Sequence, residues 1–300
     1  MSISDRGRTA TDLAPKLGDG PASAPIAAVA RLDIEERRDA RARLRRPLTT
    51  LASVCIGLVL WAFVAAVIVR DPVTLPGPGA VVAALVKYAT HPYPSRGMPL
   101  WGHAAYSSAR IAVGFVAGSV IGITLGAVMA GIRVVRNAID PFIELTRPLP
   151  PLAFIPLLIV WAGIGEVPKV LLILIGVVPV MTIATISGLD GVEPELLHAA
   201  RSLGASERYT MLHVRVRAAL PTVVTGMRLA IGVSWTSIVA AEMIAAQNGL
   251  GYVILTAGNF LDTALIFAAI LVIGVLGLLM DSVLRLLLRR LDPARAAKRA

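Results

Sequence analysis

Two charged side chains, Arg228 and Glu242, stand inside an otherwise apolar stretch of the chain, residues 221–245. The two residues are fourteen positions apart, so in a helix they lie within about 40° of the same face and roughly 21 Å apart along the axis. Charged groups at membrane depth usually face a bundle interior or an aqueous cavity. The pattern therefore predicts that Arg228, Glu242 and the intervening Trp235 line an aqueous path, with Arg228 attracting an anion.

Other roles remain open for both charges. Arg228 is equally compatible with a side chain that snorkels to the interface or pairs with a carbonyl of a neighbouring helix. For Glu242, a structural role near the outer gate is favoured over contact with the solute, because a carboxylate repels an anion.

Enzymatic residue sets are missing from the sequence. No stretch fits the phosphate-binding pattern G-x-x-x-x-G-K-[ST], so no ATPase site is expected in this chain. Neither H-E-x-x-H nor G-x-S-x-G occurs, and catalytic residues are therefore not assigned. His198 and His213 have no second ligand at zinc spacing, so they are interpreted as polar-face residues and no metal site is expected.

Membrane-spanning helices must hold these residues. The chain is 56% hydrophobic and 16% charged, whereas soluble domains carry about 25% charged residues. A helix needs roughly 20 apolar residues to cross a bilayer. Five charge-free windows and the stretch that contains Arg228 satisfy this length: 47–69, 111–132, 148–165, 170–189, 221–245 and 263–280. The sequence predicts an all-α integral membrane protein with about six transmembrane helices.

Positive charge is distributed unevenly about these spans. If the N-terminus is cytoplasmic, ten Lys and Arg residues precede the first span, three lie in 131–147, four in 190–217 and six from Arg285 onward, against five on the other side. This asymmetry follows the positive-inside rule. The net charge of +10 therefore indicates topology rather than nucleic acid binding, and both termini are predicted to be cytoplasmic.

The predicted organisation has four parts. Residues 1–46 form a basic, partly disordered cytoplasmic tail, 47–74 hold the first transmembrane helix, 75–290 form a core of five transmembrane helices, and 291–300 are a basic cytoplasmic tail. The Arg-rich end of the first tail is the topology signal or a helix on anionic headgroups. Cys55 is the single cysteine, so no intrachain disulfide is possible.

Small residues and prolines mark packed or irregular segments. Gly114, Gly118, Gly122 and Gly126, the glycine ladder, recur every fourth residue and predict a close helix–helix seam. The four prolines in 148–156 predict broken backbone, which is tolerated at membrane depth only within protein or beside water. A helix that simply starts after Pro151 is the alternative. Beyond Pro78, a short helix is predicted in an exterior loop that extends to about residue 108.

Residues 193–217 form a polar segment between two apolar windows. Pro194 is placed in the first turn of a helix, and Gly204 supplies a left-handed turn at its end. Ser206 can cap a second helix. The segment is therefore predicted to be a helix–glycine–helix unit at the cytoplasmic surface.

This segment, "ELLHAARSLGASERYTMLHVRVRAALP", resembles the EAA motif of membrane subunits of ABC-type importers. The resemblance extends through "TGMRLAIGVSWTSIVAAEMIAAQNGLGYVI" and covers roughly residues 75–285. Together these stretches resemble the nitrate, sulfonate, taurine and bicarbonate branch of these permeases. It implies the type I importer permease fold, usually a dimer of identical chains in membrane lipid. It also implies two other partners: an ABC ATPase subunit that carries the ATP and Mg, and a periplasmic or lipid-anchored substrate-binding protein. No cofactor is expected on this chain.

The resemblance assigns the ATPase contact to residues of the polar segment. Ala199, Ala200 and Gly204 match the usual motif residues, and Glu195 and Ala205 complete the predicted coupling set. His198 stands where Glu is usual and Arg217 replaces a common proline. Two other classes remain as alternatives: a self-sufficient secondary transporter or channel that uses Glu242, and a membrane scaffold without transport.

Overall fold

The computed structural model describes residue 49 and residues 51–94 and 97–289, the last three without their side chains. The predicted tails 1–46 and 291–300 lie outside these residues. The chain divides into two units, residues 1–64 and 65–300. All contacts given below lie within the second unit.

The described part of the chain is almost entirely helical. Its helices are α1 Leu51–Val69, α2 Pro78–Thr90, α3 Leu100–Gly131, α4 Arg133–Thr146, α5 Ile155–Ala162, α6 Glu166–Asp190, α7 Pro194–Ser202, α8 Glu207–Ala245, α9 Leu250–Asn259 and α10 Thr263–Arg289. Five of them, α1, α3, α6, α8 and α10, are long and apolar enough to cross a membrane. A bent pair made by α4 and the segment Pro151–Ala162 allows a sixth crossing. The all-α membrane architecture predicted from the sequence is therefore confirmed.

The third predicted span is not one regular helix. Pro151 begins a short 3-10 turn, and the eight-residue α5 follows it. Eight residues rise only about 12 Å, so α5 cannot cross a bilayer alone. It pairs with α4 across a bend of 94°. The predicted break at the prolines is confirmed, because a 3-10 turn and a bend of 94° precede α5, which begins only at Ile155.

The second span starts earlier than the sequence indicates. α3 has 32 residues and begins at Leu100, so the predicted exterior loop to residue 108 is too long. The short helix predicted beyond Pro78 is present as α2. Because α3 begins at Leu100, Arg110 lies inside a helix and not in a loop.

Helix α6 is the centre of the second unit and packs most extensively against α3 and α8. All four glycines of the glycine ladder are buried on α3. A Cβ atom at any of them would come within 2.6–2.8 Å of an α6 atom. The residues of α6 that they meet are Ile173, Val177, Met181 and the pair Thr182 and Thr185. The seam therefore depends on the absence of side chains on α3.

Helix α8 is longer than the predicted fifth span, residues 221–245. It starts at Glu207 and has 39 residues, a length of about 58 Å. The hydrocarbon core of a bilayer is only about 30 Å thick. The second helix of the predicted cytoplasmic pair is therefore the first part of α8, which projects beyond the membrane and continues into it without a break.

Candidate functional site

The helix–glycine–helix unit consists of α7, a short turn and the start of α8. Gly204 has φ +81°, a conformation that other residues adopt at a cost. Its N–H donates to the carbonyl of Arg201 at 2.9 Å, and the next N–H, of Ala205, donates to Ala200 at 3.1 Å. The Ser206 hydroxyl then accepts from the N–H of Tyr209 at 3.3 Å. The predicted left-handed turn and the predicted cap are both confirmed.

Helix α7 presents an exposed surface. None of its residues is buried, and Leu203 just beyond it is 89% exposed. Of the predicted coupling set, Glu195, Ala199 and Gly204 are exposed, and Ala200 and Ala205 are half-buried. The structure thus places the coupling set on one accessible helix and its turn.

The two histidines of this unit have no metal-binding neighbours among the described residues. His198 is exposed on α7. His213 stacks on the ring of Tyr209, with centroids 4.3 Å apart.

An ionic network, buried except for the 59%-exposed Glu166, occupies the other end of the bundle. Its centre is Arg110 of α3, whose side chain is only 4% exposed. The guanidinium donates to Glu166 at 2.5 and 2.8 Å and to Glu242 at 2.6 Å. It also donates to the backbone carbonyl of Asn248 at 3.0 Å and to the side-chain oxygen of the same residue. One side chain therefore joins α3, α6, α8 and the loop before α9.

Glu242 is fully buried and its carboxylate is well satisfied. Besides Arg110, it accepts from the Ser107 hydroxyl, 2.8 Å from both carboxylate oxygens, and from the Gly251 N–H at 3.0 Å. Gly249, with φ +113°, passes directly beside it, and a Cβ there would collide with the carboxylate. The backbone of the α8–α9 loop thus closes over Glu242.

The network is balanced in charge. The Lys169 ammonium donates to Glu166 at 2.9 Å, so two cations face two carboxylates. Buried charges are stable only when paired and hydrogen-bonded. His103 extends the network: its Nδ1 accepts from the Gly249 N–H at 3.0 Å, and its Nε2 donates to the Tyr93 carbonyl at 2.9 Å.

The sequence analysis assigned no role to Arg110 and Lys169, which directly precede the charge-free windows 111–132 and 170–189. The structure places Arg110 within α3 and Lys169 within α6. A signal was present: Arg110 precedes Gly114 by four residues and therefore continues the face of the glycine ladder.

Arg228 and Trp235 occupy different environments. Arg228 Nε donates to Asp281 of α10 at 2.7 Å, and Asp281 also pairs with Arg285 at 2.6 Å. The partner is thus a carboxylate and not a carbonyl, and the Arg228 side chain is 45% exposed. Trp235 is buried, and Gly277 of α10 lies beside its indole.

An apolar cavity of about 560 Å³ opens between α6 and α8. Its polar lining consists of hydroxyl groups from Ser187, Thr222 and Thr225. Leu229, the neighbour of Arg228 in the chain, also lines it.

A hydrogen bond joins α2 to the turn between α9 and α10. The Tyr88 hydroxyl donates to Asp262 at 2.9 Å. Partial burial, followed by the hydrogen bond with Asp262, raises the pKa of Tyr88 to about 12. The phenol therefore remains protonated and keeps donating at any physiological pH.

Long packed helices, a central close seam and an exposed helix–turn unit between two of the spans are features of a polytopic membrane protein. Residues 118–293 match the family model for the binding-protein-dependent transport system inner membrane component. The chain belongs to this family, and the resemblance predicted from the sequence is confirmed.

Individual relatives of the chain are also permease proteins and agree with the family assignment. The chain is 38% identical over 264 residues to the taurine transport system permease protein TauC of Escherichia coli (strain K12), covering 86% of this chain and 96% of that protein. It is 37% identical over 192 residues to the putative aliphatic sulfonates transport permease protein SsuC of Bacillus subtilis (strain 168), covering 64% of this chain and 70% of that protein. A solved structure of the MetNI methionine ABC transporter in an inward-facing conformation shares the fold, with a TM-score of 0.52 and 19% identity. The match covers 70% of this chain and 97% of that chain.

Proposed function

We propose that this permease imports a small anionic or zwitterionic solute, with sulfonates of the taurine type as the first candidates. The support is the similarity to TauC over 96% of that protein's length. Nitrate is a further candidate, since a nitrate import permease of Synechococcus elongatus is 29% identical over 260 residues. Bicarbonate is a candidate only through the resemblance read from the sequence.

In this proposal, a separate ABC ATPase binds and hydrolyses ATP with Mg and docks on α7. The observation that carries the docking is the exposed surface of α7, which has no buried residue and ends in the outward Leu203. The sequence has no phosphate-binding loop of its own. Because α7 connects α6 to α8 through short turns, a displacement of α7 is transmitted to both helices that line the cavity between α6 and α8.

The proposed orientation places both termini and α7 in the cytoplasm. The support is the excess of Lys and Arg on that side, including four in residues 190–217. A second copy of the chain completes the permease, and a substrate-binding protein delivers solute at the opposite face. The ionic network around Arg110 then lies toward that face, because α6 separates its first residue, Glu166, from α7 by about 37 Å.

The cavity between α6 and α8 is the proposed cytoplasmic part of the path. The hydroxyl groups of Ser187 and Thr222 can donate to an anion without holding it as tightly as a free cation would. Arg228 precedes the cavity residue Leu229 in the chain, and its guanidinium, which is 45% exposed and paired with Asp281, is the candidate for anion attraction. Trp235 and Glu242, which were also predicted to line the path, shape it from buried positions, with Glu242 holding the outer end of α8.

Uptake by the native host tests the proposal. Deletion of the gene should abolish ATP-dependent uptake of radiolabelled taurine or another member of a panel of alkanesulfonates, nitrate and bicarbonate. Reintroduction of the wild-type gene should restore it, whereas Leu203→Glu should not. Val134→Glu, at a position 78% exposed on α4, is the matched control and should restore uptake. Uptake that persists without ATP but stops when an ion gradient across the membrane is dissipated would overturn the proposal.

A further inference from the structure

A second cavity, of about 300 Å³, lies on the inner side of α7. It is formed where α7, the start of α8 and the last residue of α3, Gly131, come together. None of the residues in the ionic network or in the cavity between α6 and α8 contributes to it.

The lining of this cavity is basic. Arg201, Arg208 and Arg215 line it together with a single carboxylate, Glu207. Glu207 pairs with Arg201 at 2.8 Å. Among the described residues, Arg208 has no ion pair. The cavity therefore carries an excess of two positive charges.

Arg215 faces acceptors outside the cavity lining as well. Its Nη2 donates to the Leu189 carbonyl at 3.1 Å and lies 4.0 Å from Asp190. Asp190 is paired more closely with Arg136, at 2.6 Å. Asp190 thus neutralises Arg215 only in part.

Two buried donors that belong to the cavity lining have no hydrogen-bond partner in the described part of the chain. Thr210 is only 2% exposed, and its hydroxyl oxygen is unpaired. The Nε atom of Arg215 is also buried and unpaired. Buried polar atoms are normally hydrogen-bonded. A hydroxyl and a guanidinium N–H left unpaired in the wall of one basic cavity match an acceptor with several oxygens and negative charge.

We infer that this cavity is an oxyanion site that takes a phosphate or sulfate-type group. Arg208 and Arg215 supply the charge, and Thr210 of the cavity wall supplies a hydroxyl donor that has no partner within the described residues. The group comes either from a free inorganic oxyanion or from the headgroup of an anionic phospholipid, since basic pockets at the cytoplasmic ends of spans bind such headgroups.

Occupation of this site is compatible with ATPase docking on α7. Leu197 and Arg201, four residues apart, share the helix face that lines the cavity. Ala199, midway between them, is on the opposite, exposed face. The bound oxyanion joins α7 to α8 from inside and leaves the outer face of α7 free.

The test uses the purified full-length chain in a neutral detergent. Binding of ³⁵S-sulfate and ³³P-phosphate is measured by equilibrium dialysis, and native mass spectrometry measures phosphatidylglycerol retained from mixed phosphatidylcholine nanodiscs. Saturable binding of about one sulfate or phosphate ion per chain in the dialysis experiment identifies a free ion as the ligand. Retention of phosphatidylglycerol without binding of either free ion identifies a lipid headgroup. Absence of binding in both arms overturns the inference.

Three variants make the test specific. Arg208→Gln and Thr210→Val should each weaken binding at least tenfold. Arg217→Gln removes one positive charge from an exposed position outside the cavity and should leave binding unchanged. Thr210→Val removes an unpaired buried hydroxyl at constant size, so it should fold; a higher melting temperature with unchanged binding would overturn the inference.

Discussion

Arg110 of α3 and Glu242 of α8 form an ion pair 2.6 Å long, with side chains 4% and 0% exposed. A buried pair of this kind holds two spans together only as long as both partners are present. The same guanidinium binds Glu166 at the start of α6. The three helices of the central packing are therefore tied at one end by a single residue.

Loss of this residue should destabilise the permease strongly. Arg110→Ala leaves the buried Glu242 carboxylate without its cation, which should lower the free energy of unfolding by about 3–5 kcal/mol. Arg110→Lys should recover only part of this, since an ammonium lacks the planar fork that binds Glu166 through two N–H groups and Glu242 through a third. Denaturant unfolding in detergent micelles measures both effects.

The control for this prediction is Arg228→Ala. Arg228 also pairs with a carboxylate, but its side chain is 45% exposed, and exposed pairs contribute little. A loss of stability in Arg228→Ala as large as that in Arg110→Ala would contradict the role given to the buried network.

The glycine ladder makes a separate stability prediction. A Cβ at Gly122 would lie 2.6 Å from the Met181 Cβ and 2.8 Å from the Val178 carbonyl oxygen, so Gly122→Ala should cost about 1–3 kcal/mol through overpacking. Gly274→Ala is the matched change in α10, where a Cβ would meet nothing within 4 Å. It should be neutral or stabilising because alanine favours helix. Equal melting temperatures for the two variants would show that the seam can relax.

Transport kinetics distinguish two roles of Arg228. If its guanidinium attracts the anion, Arg228→Ala should raise the KM for uptake several-fold, and Asp281→Asn, which frees the guanidinium, should lower it. If the pair only joins α8 to α10, both variants should reduce the amount of assembled permease without changing KM. Uptake rates normalised to membrane content separate the two results.

The local features of the sequence predicted the fold well. The caps of α7 at Pro194 and Gly204 follow from side-chain and backbone chemistry within a few residues, and the structure has them where expected. The glycine ladder was equally visible, because its spacing is a property of one helix.

The ionic network could not be predicted in the same way. Arg110 and Glu242 are 132 residues apart, and their meeting depends on how α3 and α8 pack against α6. Arg110 was also hidden by the hydropathy pattern, since the first turns of α3 contain His103, Ser107 and Arg110 and resemble a loop. The partner of Arg228 was missed because Asp281 follows directly after the last apolar window.

Cysteine cross-linking tests most directly whether α7 is the ATPase contact. Cys55 is the single native cysteine, so Cys55→Ser provides a background without thiols. Ala199→Cys on the exposed face of α7 is compared with Ile164→Cys, at a position 80% exposed near the opposite end of the bundle. Both proteins are treated with a short thiol-to-amine cross-linker in native membranes.

The expected result is an adduct between the Ala199→Cys chain and a protein with a phosphate-binding loop, identified by mass spectrometry, and none from Ile164→Cys. An ATPase adduct from Ile164→Cys alone, or no ATPase adduct from an Ala199→Cys permease that still imports its solute, would contradict docking on α7.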